Sequence, residues 1–483
     1  MGKNDSKNKI YAYIWFDVED YVTPESNDVP LKAINILKKY RVPVTMKLVG
    51  EKVRFMKEQK RQDVIAAIKG FADVGFHTDA HSKHPIVYQY IANKDVLSGA
   101  KEIKRREGPG FLELKRTFGY VPSCFGHAGT QWAPHYYPYM KEVGIPLYLD
   151  ATDIVNINDS PYWYCGVLNL NNTDKNYIRF DRSFEDPYGN QKLKERFEEI
   201  HDRLRHSGGG AISILWHPHT GINKVYWDAL NFSEGKNTPK GKYIQPEQYP
   251  SEIKERAISD FENLIKFGSS FKDVEFISAS DAIRVYPRKL DTVVNRNDIR
   301  KIVKNLTRKG EISFFKLGDE YLSPSQIFTA IVNFAAAYQK SGKVPVKIAV
   351  SEPLGPLSPS KSIVKKKDVS VVNLLSAARR ISEFIGAKGY MPSKIRIEKS
   401  VQLEPSDFLG TISELSVTLM SGKKPDRRIP LRHAKMILAE KYVDKSAFKR
   451  ALEWKILPKG FTAPKILEQA KLQTWTLVPA LAK

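Results

Sequence analysis

The sequence predicts an α/β protein in two parts: a parallel β-sheet flanked by helices over about residues 1–290, and a basic, mainly α-helical module over 291–483. Three observations carry this. Strand-like and helix-like runs alternate through the first part. Acids and histidines fall where the strand-like runs end. Charge and hydrophobic pattern both change near residue 290.

The strand-like runs are Ile10–Val18, Val42–Val49, Gly75–Asp79, Leu147–Asp150, Trp163–Leu170, Ala211–Trp216 and Val274–Ile277. They are rich in Ile, Val, Tyr and Trp and end at Gly, Pro or charge. Leu31–Tyr40, Val53–Lys69, Val96–Arg106, Ala133–Val143, Gln191–Arg205 and Ser251–Phe267 space their apolar residues by three and four, as amphipathic helices do. Such alternation predicts a parallel sheet, closed into a barrel or doubly wound. In both, functional residues collect at the C-terminal strand ends. Asp17, Glu19 and Asp20 end the first run, His77 and His81 follow Val74–Phe76, Asp150 and Asp153 end the fourth, and His217 and His219 end Ala211–Trp216. Four strand ends thus deliver acids or histidines to one rim.

The second part reads differently. Residues 291–483 hold 35 Lys and Arg against 17 Asp and Glu, whereas residues 1–290 hold 42 against 37. A module this basic points to an anionic partner, such as nucleic acid, an acidic glycan or a membrane surface; a solvated, soluble face is the plain alternative. Its apolar pattern repeats over Leu322–Pro345, Val369–Pro392 and Leu403–Pro425, each closing on Gly, two residues, then Pro. Ser323 and Ser370 stand where helix N-caps belong, and Gly342 and Gly389 where helices stop. The stretch Ser358–Lys367 reads as a linker, Leu431–Trp454 as a basic helical region, and Ala463–Lys483 as a tail.

No run approaches the roughly 18 apolar residues of a membrane helix. The polar start, Met1 to Lys9, lacks the apolar core of a signal peptide, so the chain is expected in the cytoplasm. Cys124 and Cys165, the two cysteines, make neither a disulfide framework nor a zinc ribbon. Gly208-Gly209-Gly210 is followed by no Lys-Ser/Thr and is a turn, not a phosphate loop. The sequence assigns no oligomeric state.

The chemistry centres on His77-Thr78-Asp79-Ala80-His81. Histidines four apart share one face of a helical turn and can reach one ion. Position 78 is Thr, so no glutamate base adjoins the first histidine, and the carboxylate must come from elsewhere. Asp17 and Glu19, two apart on a strand, face one side together. Two histidines and a carboxylate leave a zinc ion an open position for water, and the second carboxylate can take that water's proton. His217 is a candidate general acid, preferred over His219 because it directly follows the apolar strand. His84, His127 and His135 are read as structural.

The ordered set Phe16-Asp17-Val18-Glu19-Asp20, His77-Thr78-x-x-His81, Gly119-Tyr120-Val121-Pro122 and Leu215-Trp216-His217 resembles the NodB-type polysaccharide deacetylases over about residues 10–285. The resemblance implies a distorted (β/α) barrel and zinc-assisted removal of N-acetyl groups from an amino-sugar glycan. Carried over by position, Asp17 matches the general base, His77 and His81 the metal-binding histidines, and His217 the general acid. Val18 stands where many members have a second aspartate, so Glu19 or Asp20 is the metal carboxylate; strand alternation favours Glu19. The third motif lacks the arginine that often orients the base, with Arg179 and Arg182 as candidates to replace it. Tyr120 and Trp132 are candidate sugar-stacking residues, with core packing the plain alternative. Some relatives with such a first motif cleave other amide or cyclic C–N bonds. That reaction, and a catalytically inactive glycan-binding barrel, are the alternative functions. The C-terminal repeats look somewhat like pseudomurein-binding repeats of archaeal surface proteins, which implies a cell-wall or glycan-binding module and association with a cell surface.

Overall fold

The computed structural model describes residues 9–171 and 173–482. Residues 1–8, most of the polar start read above, lie outside them. The first part is built on β1 (Ile10–Val18), β2 (Thr45–Leu48), β3 (Asp73–Phe76), β4 (Cys124–Phe125), β5 (Leu147–Ala151), β6 (Tyr162–Tyr164), β7 (Val167–Asn171), β8 (Tyr177–Arg179), β9 (Gly210–Trp216) and β10 (Val274–Phe276). A final strand, Val478–Pro479, joins them. The sheet order is Val478–Pro479, β6, β7, β5, β4, β3, β2, β1, β9, β8, with β10 also paired to β1. Every pair from β7–β5 to β9–β8 is parallel. The sheet curls but does not close, which is the distorted barrel expected.

All nine residues of β1 are buried. Parallel neighbours take its backbone hydrogen bonds on each side and other layers cover both faces, which is why an almost unbroken apolar run forms it. The helices Asp28–Tyr40, Gln62–Phe71, Val96–Phe118, Tyr136–Val143, Gly189–His206 and Ser251–Gly268 lie between strands much as the apolar spacing predicts. The expected helix Val53–Lys69 is two, Gly50–Glu58 and Gln62–Phe71. The expected strand Trp163–Leu170 is instead the hairpin β6–β7. Cys165 (φ 51°) and Gly166 (φ 75°) both take the left-handed conformation a two-residue hairpin turn demands.

The second part centres on helices Arg296–Lys309, Pro324–Ser341, Val371–Lys388 and Pro405–Met420, with short strands between. Ser323 and Ser370 are N-caps: their hydroxyls accept from the amides of Gln326 and Asn373. Gly342 and Gly389 end their helices in the left-handed conformation. Arg296–Lys309, capped by Asn295 and stopped at Gly310, has the same plan but no Pro beyond, so the Gly-x-x-Pro pattern passed over it. The basic helical region Leu431–Trp454 holds helices Leu438–Tyr442 and Lys445–Ala451, preceded by strand Lys435–Met436.

Three apolar clusters organise the described residues, the smallest holding Tyr11, Tyr13, Trp15, Leu147, Leu168 and Val478; the other two are larger. One holds Val294 to Ala434 and Trp475. The other holds the helical layer of the sheet and also Leu438, Tyr442, Phe448, Ile456, Leu457, Ile466 and Leu477. The last forty-odd residues therefore return to the first part, and Val478 pairs with Trp163 of β6. No helix among the described residues is long and apolar enough to cross a membrane.

Candidate active site

The C-terminal ends of β1, β3 and β9 bring Asp17, Glu19, His77, His81 and His217 together. Glu19 Oε2 lies 2.8 Å from His81 Nε2 and 3.4 Å from His77 Nε2. Asp17 Oδ2 lies 3.7 Å from His77 Nε2 and 3.5 Å from His217 Nε2. Asp17, Glu19, His77 and His81 are all buried.

The two histidines do not share a helical turn. Residues 77–81 form a bent loop in which Thr78 (φ 66°) and His81 (φ 53°) are left-handed. The amides of Gly50 and Glu51 hold the loop by the carbonyls of Thr78 and Asp79, and Glu107 accepts from the Asp79 amide at 2.6 Å. Each ring is then aimed from behind. His77 Nδ1 donates to Gly126 O at 3.0 Å. His81 Nδ1 donates to Ser82 Oγ at 2.6 Å, and that hydroxyl donates to Asp228 Oδ2 at 2.7 Å. Both arrangements place the proton on Nδ1 and leave the Nε2 lone pair facing Glu19, as second-sphere partners of metal-binding histidines do.

Both buried Nε2 atoms lack a hydrogen-bond partner. Donor atoms of Glu19, His77 and His81 lie within 4.8 Å of one another. Two imidazole nitrogens and a carboxylate suit a divalent cation of the zinc type, and that ion would satisfy the orphaned nitrogens. Asp20 is elsewhere engaged. Its carboxylate accepts from the amides of Val22 and Thr23 and from Asn223, which folds the loop after β1.

Two features behind the rim escaped the sequence reading. Lys47, in the middle of β2, is fully buried, with Nζ 2.9 Å from Asp17 Oδ1 and 3.4 Å from Asp150 Oδ2. It also lies 4.2 Å from the centroid of the Trp15 ring. Burial would discharge it, yet Asp17 and Asp150 hold its pKa above the ordinary lysine value. Gly126 makes room for it, since a Cβ there would collide with Nζ. Lys47, not Arg179 or Arg182, is the cation beside Asp17. Arg179 pairs with Asp181 at 2.8 Å, and Arg182 binds the Lys224 carbonyl.

Asp181, just past β8, is the other feature. It accepts from the His217 amide at 2.8 Å and from His217 Nδ1 at 2.6 Å. Burial would lower the His217 pKa, but Asp181 overrides it and holds the ring at about 9. His217 is therefore protonated at neutral pH, with Nε2–H directed toward Asp17. His219 lies 3.8 Å from Glu19, and burial pulls its pKa down to about 4.

The remaining residues singled out from sequence lie away from this cluster. Trp132 is fully buried, donates to Tyr137 Oη at 3.0 Å and packs on Tyr137 and Tyr164; it belongs to the core. Tyr120 is 39% exposed and contacts the start of β3, the end opposite His77. Asp153 lines a separate groove with Asn156, Lys175 and Arg450.

Comparison with known proteins finds solved structures similar to part of this chain. A protein of Mycobacterium smegmatis described as a polysaccharide deacetylase is 16% identical, covering 60% of this chain and 96% of its own, with a TM-score of 0.39. An allantoinase is 13% identical, covering 60% and 94%, with the same TM-score. A family 4 carbohydrate esterase of Streptomyces lividans is 11% identical, covering 55% and 90%, with a TM-score of 0.31. No protein-family model and no curated protein matches the chain.

Proposed function

We propose that the chain is a metal-dependent hydrolase that removes N-acetyl groups from an amino-sugar glycan. The observation that carries this is the pair of orphaned Nε2 atoms of His77 and His81 facing Glu19, with Asp17 and His217 beside them. Glu19, His77 and His81 hold a divalent cation, zinc by the chemistry of the donors; bound there, it supplies a Lewis acid and lowers the pKa of water.

The chain's own residues divide the proton work. Asp17 Oδ2 takes the proton of the attacking water. Lys47 fixes the other carboxylate oxygen, so Asp17 presents one oxygen only. His217 Nε2–H gives a proton to the departing amine as the C–N bond breaks, while Asp181 keeps Nδ1 protonated and the ring oriented. A base and an acid 3.5 Å apart, the one held by Lys47 and the other by Asp181, suit amide hydrolysis. The same machinery fits another non-peptide C–N amide. Acetate release from N-acetylated oligosaccharides, measured beside ammonia or acid release from small cyclic and acyclic amides, decides between them. Product from neither class defeats the hydrolase reading.

The basic module is assigned a contact with an anionic polymer, a cell-wall glycan among them. Its mark is binding that weakens steeply between low and moderate salt.

A further inference from the structure

The segment that follows helix Lys445–Ala451 runs across the rim of the sheet beside the histidines. Thr130 Oγ1 donates to Ala451 O at 2.7 Å, the Glu234 amide donates to Lys455 O at 2.8 Å, and the Gly235 amide donates to Ile456 O at 3.2 Å. These bonds tie residues 451–456 to the loop after β4 and to the turn after helix Trp227–Phe232. Trp454 lies mid-span. The six-membered part of its indole rests against Gly129, whose φ of 55° and lack of a side chain let the ring approach; a Cβ there would collide with three ring atoms. The indole meets the His81 ring edge-to-face, with centroids 6.0 Å apart and planes at 84°.

Among the described residues, His81 is the one ring packed on Trp454, and the indole N–H has no acceptor. The side chain is half-buried. It is thus held firmly by backbone on one side, abuts a metal-binding histidine, and keeps a polar edge unused. An indole offers an apolar face and a donor together. A sugar ring, with C–H groups on one face and hydroxyls at its edge, matches both.

We propose that Trp454 is a substrate-binding residue, stacking on the amino-sugar ring whose amide is presented to Asp17, Glu19 and the histidines. The identity of the ring rests on the deacetylase reading above. The C-terminal segment then completes the site, and the second part of the chain is more than an appended binding module.

The test is calorimetric binding of fully N-acetylated chitotetraose to the zinc-supplemented full chain, for wild type, Trp454→Ala and Gly129→Ala, with zinc content measured on each. The expected result is binding by wild type and a loss of about tenfold or more in Trp454→Ala at unchanged zinc content. Gly129→Ala, which displaces the ring without touching a metal-binding residue, is expected to weaken binding in the same direction. Equal affinity in wild type and Trp454→Ala, or no binding by wild type, overturns the proposal. If Trp454→Ala fails to fold, Trp454→Leu carries the test: it keeps apolar bulk against Gly129 and removes both the aromatic face and the N–H, and unchanged binding overturns the assignment. Wild type that binds the saccharide through Trp454 but releases no acetate defeats the hydrolase reading and leaves this one standing.

Discussion

Lys47 Nζ lies 2.9 Å from Asp17 Oδ1, the lysine side chain wholly buried and the aspartate 4% exposed. A charge this deep is tolerated only when paired, and the pair here is shared with Asp150. Lys47→Met would leave two buried carboxylates facing each other. It should cost about 3–5 kcal/mol of folding stability, the usual price of breaking a buried pair. Adding Asp150→Asn should recover part of the loss. Urea unfolding of the three proteins checks this. A Lys47→Met midpoint equal to wild type would mean the lysine does not hold Asp17.

His217 must be protonated to donate, and Asp181 keeps its pKa near 9. Activity should therefore persist through neutral pH and decline as pH rises through about 9, where the ring loses its proton. Asp181→Asn removes the interaction that raises the pKa and leaves the burial that lowers it. The alkaline limb should then move to lower pH, with a smaller maximal rate. A pH–rate profile of wild type beside Asp181→Asn reads the shift; a limb that stays in place argues against His217 as the acid.

Ser82 links His81 to Asp228 without touching the ion site itself. Ser82→Ala deprives His81 Nδ1 of its acceptor and frees the ring to turn. Zinc affinity should fall by about 10–100-fold, the range typical of outer-sphere partners. Chelator competition measures it, and an unchanged affinity would show that the hydroxyl does not orient the ligand.

Much of the site was legible because strand ends concentrate function. Asp17, Glu19, His77, His81 and His217 all sit at such ends, and continuing the period-two alternation of β1 one step past Val18 points to Glu19, which lies beside both histidines. The local geometry of His77–His81 was not legible. Spacing of four suggests a helical turn, but Thr78 and His81 are left-handed because neighbouring amides and Glu107 dictate the loop. Lys47 was hidden by its setting. A lone lysine in an apolar strand reads as a solvent-facing residue, whereas β2 is buried on both faces. Asp181 follows a three-residue strand, too short to show a pattern. Trp454 acts at a distance, since Thr130 and Ala451 are 321 residues apart in sequence, and no local periodicity reports such a contact.

The most direct test is the metal content of the purified chain after incubation with zinc and removal of excess, for wild type and for His77→Ala with His81→Ala. The account predicts about one ion per wild-type chain and none in the double variant, with the fold retained by circular dichroism. Wild type that retains no zinc, or a double variant that retains it all, would contradict the site described here.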